Sequence, residues 1–182
     1  MGLTSLIFIS IWIMLPAYVP NNVAAIFGKN STPLDLGNFF RGKRILGDGK
    51  TIKGTLSGIL CGILMAFLLN FINNFSPLIS SFNLPVFSLT VILLLPTGSM
   101  IGDALASFLK RSMGVPSGDP VFLLDQLDFV IGSLLLVFLI SPIWFLSNLT
   151  LPILATIFIL TPFLHAGINV LGYILGIKKV PW

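Results

Sequence analysis

The chain has 182 residues, of which 55% are hydrophobic and only 9% charged, with a formal net charge of +4. A soluble domain carries about 25% charged residues, so this composition, with a mean hydropathy of +1.03, excludes a water-soluble fold. The single cysteine, Cys61, excludes an internal disulfide. At roughly 20 apolar residues per crossing, the length admits about five transmembrane helices. The expected fold class is an all-α integral membrane protein, one polytopic domain spanning residues 1–182.

The first helix is expected over 3–27, charge-free, with Pro16, Pro20, Asn21 and Asn22 kinking or breaking its second half. It lacks a basic n-region and a small-residue cleavage site, so it reads as a retained helix and not a signal peptide. Residues 28–54 form a long loop carrying Lys29, Arg41, Lys43, Arg44, Lys50 and Lys53 against Asp35 and Asp48. The second helix is expected over 55–70, followed by an uncharged loop of Asn, Ser and Pro. The third runs over 85–109, with a break signal at Pro96-Thr97-Gly98. A charged loop over 110–126 precedes a fourth helix at 127–146 and a fifth at 151–177. The tail Lys178-Lys179-Val180-Pro181-Trp182 closes the chain.

With five helices, the two polar loops and the C-terminal tail share one side, and they hold all ten Lys and Arg. Cytoplasmic loops are enriched in these residues, so the N-terminus is expected outside and the C-terminus in the cytoplasm. Gly54, Gly58, Gly62 and Ala66 place a small residue at every fourth position of the second helix. Gly98, Gly102 and Ala106 do the same in the third. Such stripes let helices approach closely.

The chemistry gathers between Gly102 and Ser133, which holds four of the six acids: Asp103, Asp119, Asp125 and Asp128. An ionised Asp inside a membrane helix costs about 2.5–3.5 kcal/mol on insertion scales, so an unpaired one needs a reason. Ser99, Asp103 and Ser107 share a helix face that Lys110 continues. Asp125 and Asp128 sit three apart at the entrance to the fourth helix, where acids are also favoured as capping charges. Pairing of Asp103 with Lys110 or Arg111 is the simpler alternative. Carboxylates at one depth suit a hard cation such as Mg²⁺, which takes oxygen ligands and keeps waters for substrate phosphates. The resulting charged cavity is expected to open to the cytoplasm.

In the first loop, Arg41-Gly-Lys-Arg44 and Gly47-Asp-Gly-Lys-Thr-Ile-Lys-Gly54 mix cations, glycines and a hydroxyl before a helix N-terminus, a setting that favours phosphate. Lys43, Arg44, Gly49, Lys50, Thr51, Lys53 and Gly54 are the candidates there. The frame is not a Walker A loop, and contact with anionic lipid is the alternative. His165 and Asn169 share a face of the last helix, either as packing partners or as lining of the same cavity.

Gly102-Asp103, Ser107, Lys110-Arg111, Asp119, Leu124-Asp125-Gln126-Leu127-Asp128 and Ser133 resemble the signature of the CTP:phosphatidate cytidylyltransferase family. Three departures stand out: Gly118 in place of a Lys, Phe122-Leu123-Leu124 in place of a glycine-rich turn, and Gln126 in place of an Arg. These, with the Gly47–Gly54 loop and the ending His165, Asn169, Tyr173, Gly176, Lys178 and Trp182, look like the archaeal branch, the CDP-archaeol synthases. The resemblance implies CMP transfer from CTP to a prenylated glycerol ether-lipid phosphate (digeranylgeranylglyceryl phosphate), with Mg²⁺, two ions being expected, at the cell membrane. It implies Asp103, Asp125 and Asp128 as metal ligands, and Ser107, Lys110 and Arg111 on the phosphate side. Asp119, His165 and Asn169 are added as substrate contacts, and Lys50 or Lys53 as the replacement for the charge lost at Gln126. Partners are CTP, the lipid phosphate and membrane lipid, with no nucleic acid. Two other functions fit the same charges: a CTP-dependent polyprenol or lipid kinase, and an ion or metal transporter built on intramembrane aspartates. The lack of a detectable inverted repeat weighs against the transporter.

Overall fold

A computed structural model describes residues 2–40, 42–76, 79, 82–117 and 119–176. Among the described residues these helices follow in order: α1 Leu3–Phe27, α2 Ile52–Phe75, α3 Leu89–Ser112, α4 Leu124–Ile140, α5 Pro142–Asn148 and α6 Leu151–Ile174. Strands β1 Phe39–Phe40 and β2 Lys43–Arg44 lie between α1 and α2. Helices α1, α2, α3 and α6 are each long and apolar enough to cross a bilayer, and α4 with α5 is a sharply bent apolar pair that makes a fifth span if the two are counted as one. The protein is an all-α integral membrane protein. In hydrocarbon every backbone group must bond within its own element, which leaves helices as the economical solution.

Proline behaves in two ways here. Helix α1, expected to kink or break in its second half, runs unbroken through Pro16 and Pro20, and α3 runs unbroken through the break signal at Pro96. A proline removes one i→i−4 bond, but neighbouring helices can cover the exposed carbonyl. Pro20 leaves the Pro16 oxygen without a helical donor, and Gly62 of α2 packs on it so closely that a Cβ there would lie 2.6 Å away. Pro142 does stop its helix. The span expected as 127–146 is two helices bent by 119°, because Pro142 has no N–H to continue the ladder and opens α5 instead.

Helix ends also moved for identifiable reasons. Helix α2 begins at Ile52, not 55, because Thr51 caps it, its Oγ1 accepting the Gly54 N–H at 3.2 Å. It continues past Asn70 to Phe75. Asn70 does not end the helix because its amide is satisfied elsewhere, donating to Phe87 O at 2.8 Å and accepting from Phe87 N at 2.9 Å. Residues Leu84 and Phe87 lie buried in an extended run. The Trp12 and Trp144 indoles donate to the Pro85 and Val86 carbonyls at 3.2 and 2.8 Å. Helix α3 therefore starts after the Ser88 cap, at Leu89 and not at 85.

The core, with Ile13, Met14, Leu95, Val130 and Ile157 essentially sealed, lies between α1, α3, α4 and α6. Helices α3 and α4 touch backbone to backbone at Gly98, Gly102 and Gly132. A Cβ on Gly102 would strike the Asp128 carbonyl. Helices α1 and α2 meet the same way at Gly28 and Gly54. These contacts bring the C-terminal ends of α1, α3 and α6 to the same end of the bundle as the N-terminal ends of α2 and α4.

Candidate active site

That end of the bundle encloses a cavity of about 630 Å³. The loop between α1 and α2, expected as a long phosphate-facing loop, is a folded unit that covers one side of it. Its centre is Asp35, 7% exposed. The Asp35 carboxylate accepts the N–H groups of Gly37, Leu46 and Gly47 at 3.0–3.1 Å, and Arg44 Nε and Nη2 at 3.3 and 2.9 Å. Burial alone would raise the Asp35 carboxyl, but the Arg44 guanidinium and the three N–H groups outweigh it and hold it well below the usual carboxylate range. Arg44 also pairs with Asp48 at 2.9 Å. Arg44 thus braces the loop and does not line the cavity. At Gly47, φ is +90°, a conformation open to glycine, and the turn sends Gly49 and Lys50 inward.

Lys50 Nζ reaches Asp103 of α3 at 2.5–2.6 Å. Lys110 Nζ reaches Asp125 of α4 at 2.8 Å. Asp103 pairs with neither Lys110 nor Arg111 among these contacts; its partner comes from the distant first loop. Asp125 also accepts the Val121 N–H at 2.8 Å. That turn passes through Leu123 at φ 63°, a strained value for a branched side chain. Arg111 is buried, 9% exposed, yet its Nε and Nη1 have no hydrogen-bond partner among the described residues. Ser107 and Asp119 line the same cavity, as do His165 and Asn169 of α6, which lie 3.4 Å apart.

Several expected residues sit differently. Thr51 and Gly54 touch the cavity, but the Thr51 hydroxyl also donates to Gly28 O at 3.1 Å, and Gly54 packs on the Gly28 backbone. Ser99 is sealed, donating to Ala17 O across to α1. Lys53 is exposed and outside the cavity, so of the two replacements for the Gln126 charge only Lys50 lines it. Lys43 is exposed on β2 and donates to Ser112 O at 3.3 Å. Gly118, Arg41 and the Lys178-Lys179 tail lie outside the described residues. Asp128 is 8% exposed and accepts the Phe129 N–H at 2.5 Å, close enough to Asp103 and Asp125 to feel their charges. The three expected metal ligands do not form a cage: among the described residues no group of three such side chains gathers at coordinating range. Asp103 and Asp125 nevertheless present hard oxygen donors on the cavity, each engaged by one ammonium, a donor set that suits Mg²⁺.

The sequence reading missed Asn21 of α1, which lines the cavity from a helix without charge. Its signal was visible: an Asn pair in an apolar span, read only as a kink.

Known proteins resemble this chain over nearly its whole length. The model of the family described as CarS-like, CDP-archaeol synthase, matches residues 3–182. A CDP-archaeol synthase of Methanospirillum hungatei is 49% identical over 170 residues, 93% of this chain and 100% of that protein. One from Methanococcoides burtonii is 44% identical over 176 residues, with 93% and 100% coverage. A solved structure, described as an intramembrane enzyme for archaeal membrane lipids biosynthesis, superposes with a TM-score of 0.70 at 29% identity, covering 88% of this chain and 92% of that one. With the match running nearly end to end, the chain belongs to the CDP-archaeol synthase family.

Proposed function

We propose that the protein transfers CMP from CTP to digeranylgeranylglyceryl phosphate, giving the CDP-lipid and pyrophosphate. Membership of the family makes it a cytidylyltransferase. Within this chain, the observation that carries the reading is Arg111. A buried guanidinium whose Nε and Nη1 have no partner among the described residues, beside Lys50 and Lys110 on one cavity, is stabilised by an oxyanion that accepts those N–H groups. A triphosphate meeting a lipid phosphate supplies several.

An oxygen of the lipid phosphate attacks the α-phosphorus of CTP. The new P–O bond forms as the bond to the bridging β-phosphate oxygen breaks, and pyrophosphate leaves. The attacking oxygen is already ionised, so no general base is needed, and catalysis reduces to positioning and charge neutralisation. Arg111, Lys50 and Lys110 hold phosphate oxygens, the two lysines turning from their carboxylates as anionic substrate enters. Mg²⁺ would be held by Asp103 and Asp125, with Asp128 adjoining, and would neutralise charge on the triphosphate. The described cations Lys29, Lys43, Arg44, Lys50, Lys53, Lys110 and Arg111 belong to the cavity's end of the bundle, which supports a cytoplasmic site with the N-terminus outside.

The test uses purified protein in detergent with Mg²⁺ and CTP labelled at the α- or the γ-phosphate, offered the ether-lipid phosphate or the matching lipid alcohol. Expected is α-label in lipid with the phosphate acceptor only, lost in Arg111→Gln and Asp128→Asn. Movement of γ-label onto the alcohol would establish a kinase instead. Ion flux in liposomes without transfer of either label would leave the transporter.

A further inference from the structure

Successive side chains of a strand point to opposite faces, so one of two neighbouring phenylalanines ordinarily packs inward. In β1 neither does. Phe39 is 66% exposed and Phe40 51% exposed, and Leu36 in the preceding turn is exposed as well. Each phenylalanine stands opposite a cation on β2, Phe39 across from Arg44 and Phe40 across from Lys43. The Arg44 guanidinium lies 5.9 Å from the centre of the Phe39 ring. Two contacts fix where the hairpin sits. The Phe40 ring is 6.2 Å from that of Phe108, and Lys43 Nζ donates to Ser112 O at 3.3 Å. Both partners belong to the last turns of α3. On the outer side of that helix Ile101, Leu105 and Leu109 recur at every fourth position, and all three are exposed. They form one apolar face, the one this span turns to hydrocarbon.

We infer that the β1–β2 hairpin is an interfacial anchor, with Phe39 and Phe40 inserted into the bilayer leaflet on the cavity's side and Lys43 at its lipid phosphates. Depth and continuity carry the inference. At 1.5 Å per residue, the 24 residues of α3 reach about 36 Å, against a hydrocarbon core of about 30 Å. The last turn of α3 therefore lies among headgroups, and the hairpin is held beside it. Phe108 adjoins Leu109 in the chain, so the Phe40 ring prolongs the lipid-facing stripe toward the membrane boundary. Interfacial segments seat an apolar face about 5–10 Å into that boundary, while a lysine keeps its stem on apolar surface and its head in the polar layer. Lys43 has three donors and spends one on Ser112 O, which leaves donors for phosphate. A two-stranded hairpin is marginal by itself in water, and the bilayer supplies the cover that the fold does not. The same folded unit carries Lys50 to the cavity, so the membrane surface steadies the loop from its outer side. The anchor is independent of the reaction catalysed.

The experiment uses the full chain in phosphatidylcholine liposomes, with Cys61→Ser removing the native thiol. An environment-sensitive fluorophore is attached at Phe39→Cys and, as the aqueous control, at Asp48→Cys, whose side chain is 82% exposed on the same loop. Quenchers are a nitroxide on the lipid acyl chain near the headgroup, and iodide in the water. Expected for Phe39→Cys is blue-shifted emission that is lost to the lipid nitroxide and kept in iodide, with the reverse for Asp48→Cys. Iodide quenching of both labels alike would place the hairpin in water and overturn the inference. Emission at Phe39→Cys that neither quencher reaches, with energy transfer between labelled copies, would give the face to a second copy and overturn it equally. An unlabelled variant tests the anchoring itself. Phe39→Asp with Phe40→Asp changes only exposed side chains, so its melting temperature in detergent stays that of wild type. In liposomes trypsin should cut its first loop several-fold faster than that of wild type, and equal rates would overturn the anchor.

Discussion

Asp35→Asn is the sharpest single perturbation of the first loop. The two Asp35 oxygens divide the work: Oδ1 accepts Gly37 N and Arg44 Nη2, while Oδ2 accepts Leu46 N, Gly47 N and Arg44 Nε. Whichever way the new amide turns, its NH₂ group faces at least two donors. Each lost bond costs about 1–3 kcal/mol when the groups stay buried. Removing the charge also strips Arg44, whose side chain is 25% exposed, of its buried partner, so the total is about 3–5 kcal/mol. Nothing in the helix contacts depends on Asp35, so the cost falls on the loop and through it on Lys50. The variant should retain its bundle melting temperature, lose protection of residues 30–50 from limited proteolysis, and bind CTP more weakly. Undiminished loop protection with wild-type CTP affinity would refute the reasoning. The same group sets an acid limit. Its carboxyl titrates lower folded than unfolded, so its stabilisation is complete above its ordinary value of 3.8 and drains away as pH falls below it. Proteolysis of the loop should therefore rise only at strongly acid pH in wild type, whereas in Asp35→Asn it should be raised at every pH.

Three further outcomes follow from the geometry. Lys50→Ala should lower kcat/KM by about tenfold to a hundredfold, the scale of a charged hydrogen bond, while Lys53→Ala should stay near wild type. Equal losses would mean that net loop charge matters, not placement. Gly102→Ala drives a methyl into the Asp128 carbonyl and toward the Gly132 Cα, 3.1 Å from it, and should cost about 1–3 kcal/mol, read as a lower melting temperature in detergent. A wild-type value would mean that α3 and α4 slide apart freely. Chelation should abolish transfer and added Mg²⁺ restore it, whereas full activity in excess chelator would remove the metal from the mechanism.

The sequence by itself determined the membrane class and, among the described residues, the gathering of cations at one end of the bundle, because hydropathy and charge placement answer to the bilayer and not to any particular packing. It also determined the small-residue stripes and the acids around α3 and α4. It could not rank the prolines. Pro16, Pro20 and Pro96 carry the same local signal as Pro142, and only the neighbouring helix, such as Gly62 against the Pro16 oxygen, decides whether the uncovered carbonyl is tolerated. Tertiary structure alone decided the pairing of charges. Lys50 meets Asp103 across 53 positions of chain, while Lys53, three residues on, faces away, since a register shift on a loop is invisible to composition. It alone separated Arg44, which braces the loop, from Lys50 and Arg111, which face the cavity, and it alone brought Asn21 beside them. Side chains of the same type differ in role here because the fold decides which of them retain an unsatisfied hydrogen bond after burial.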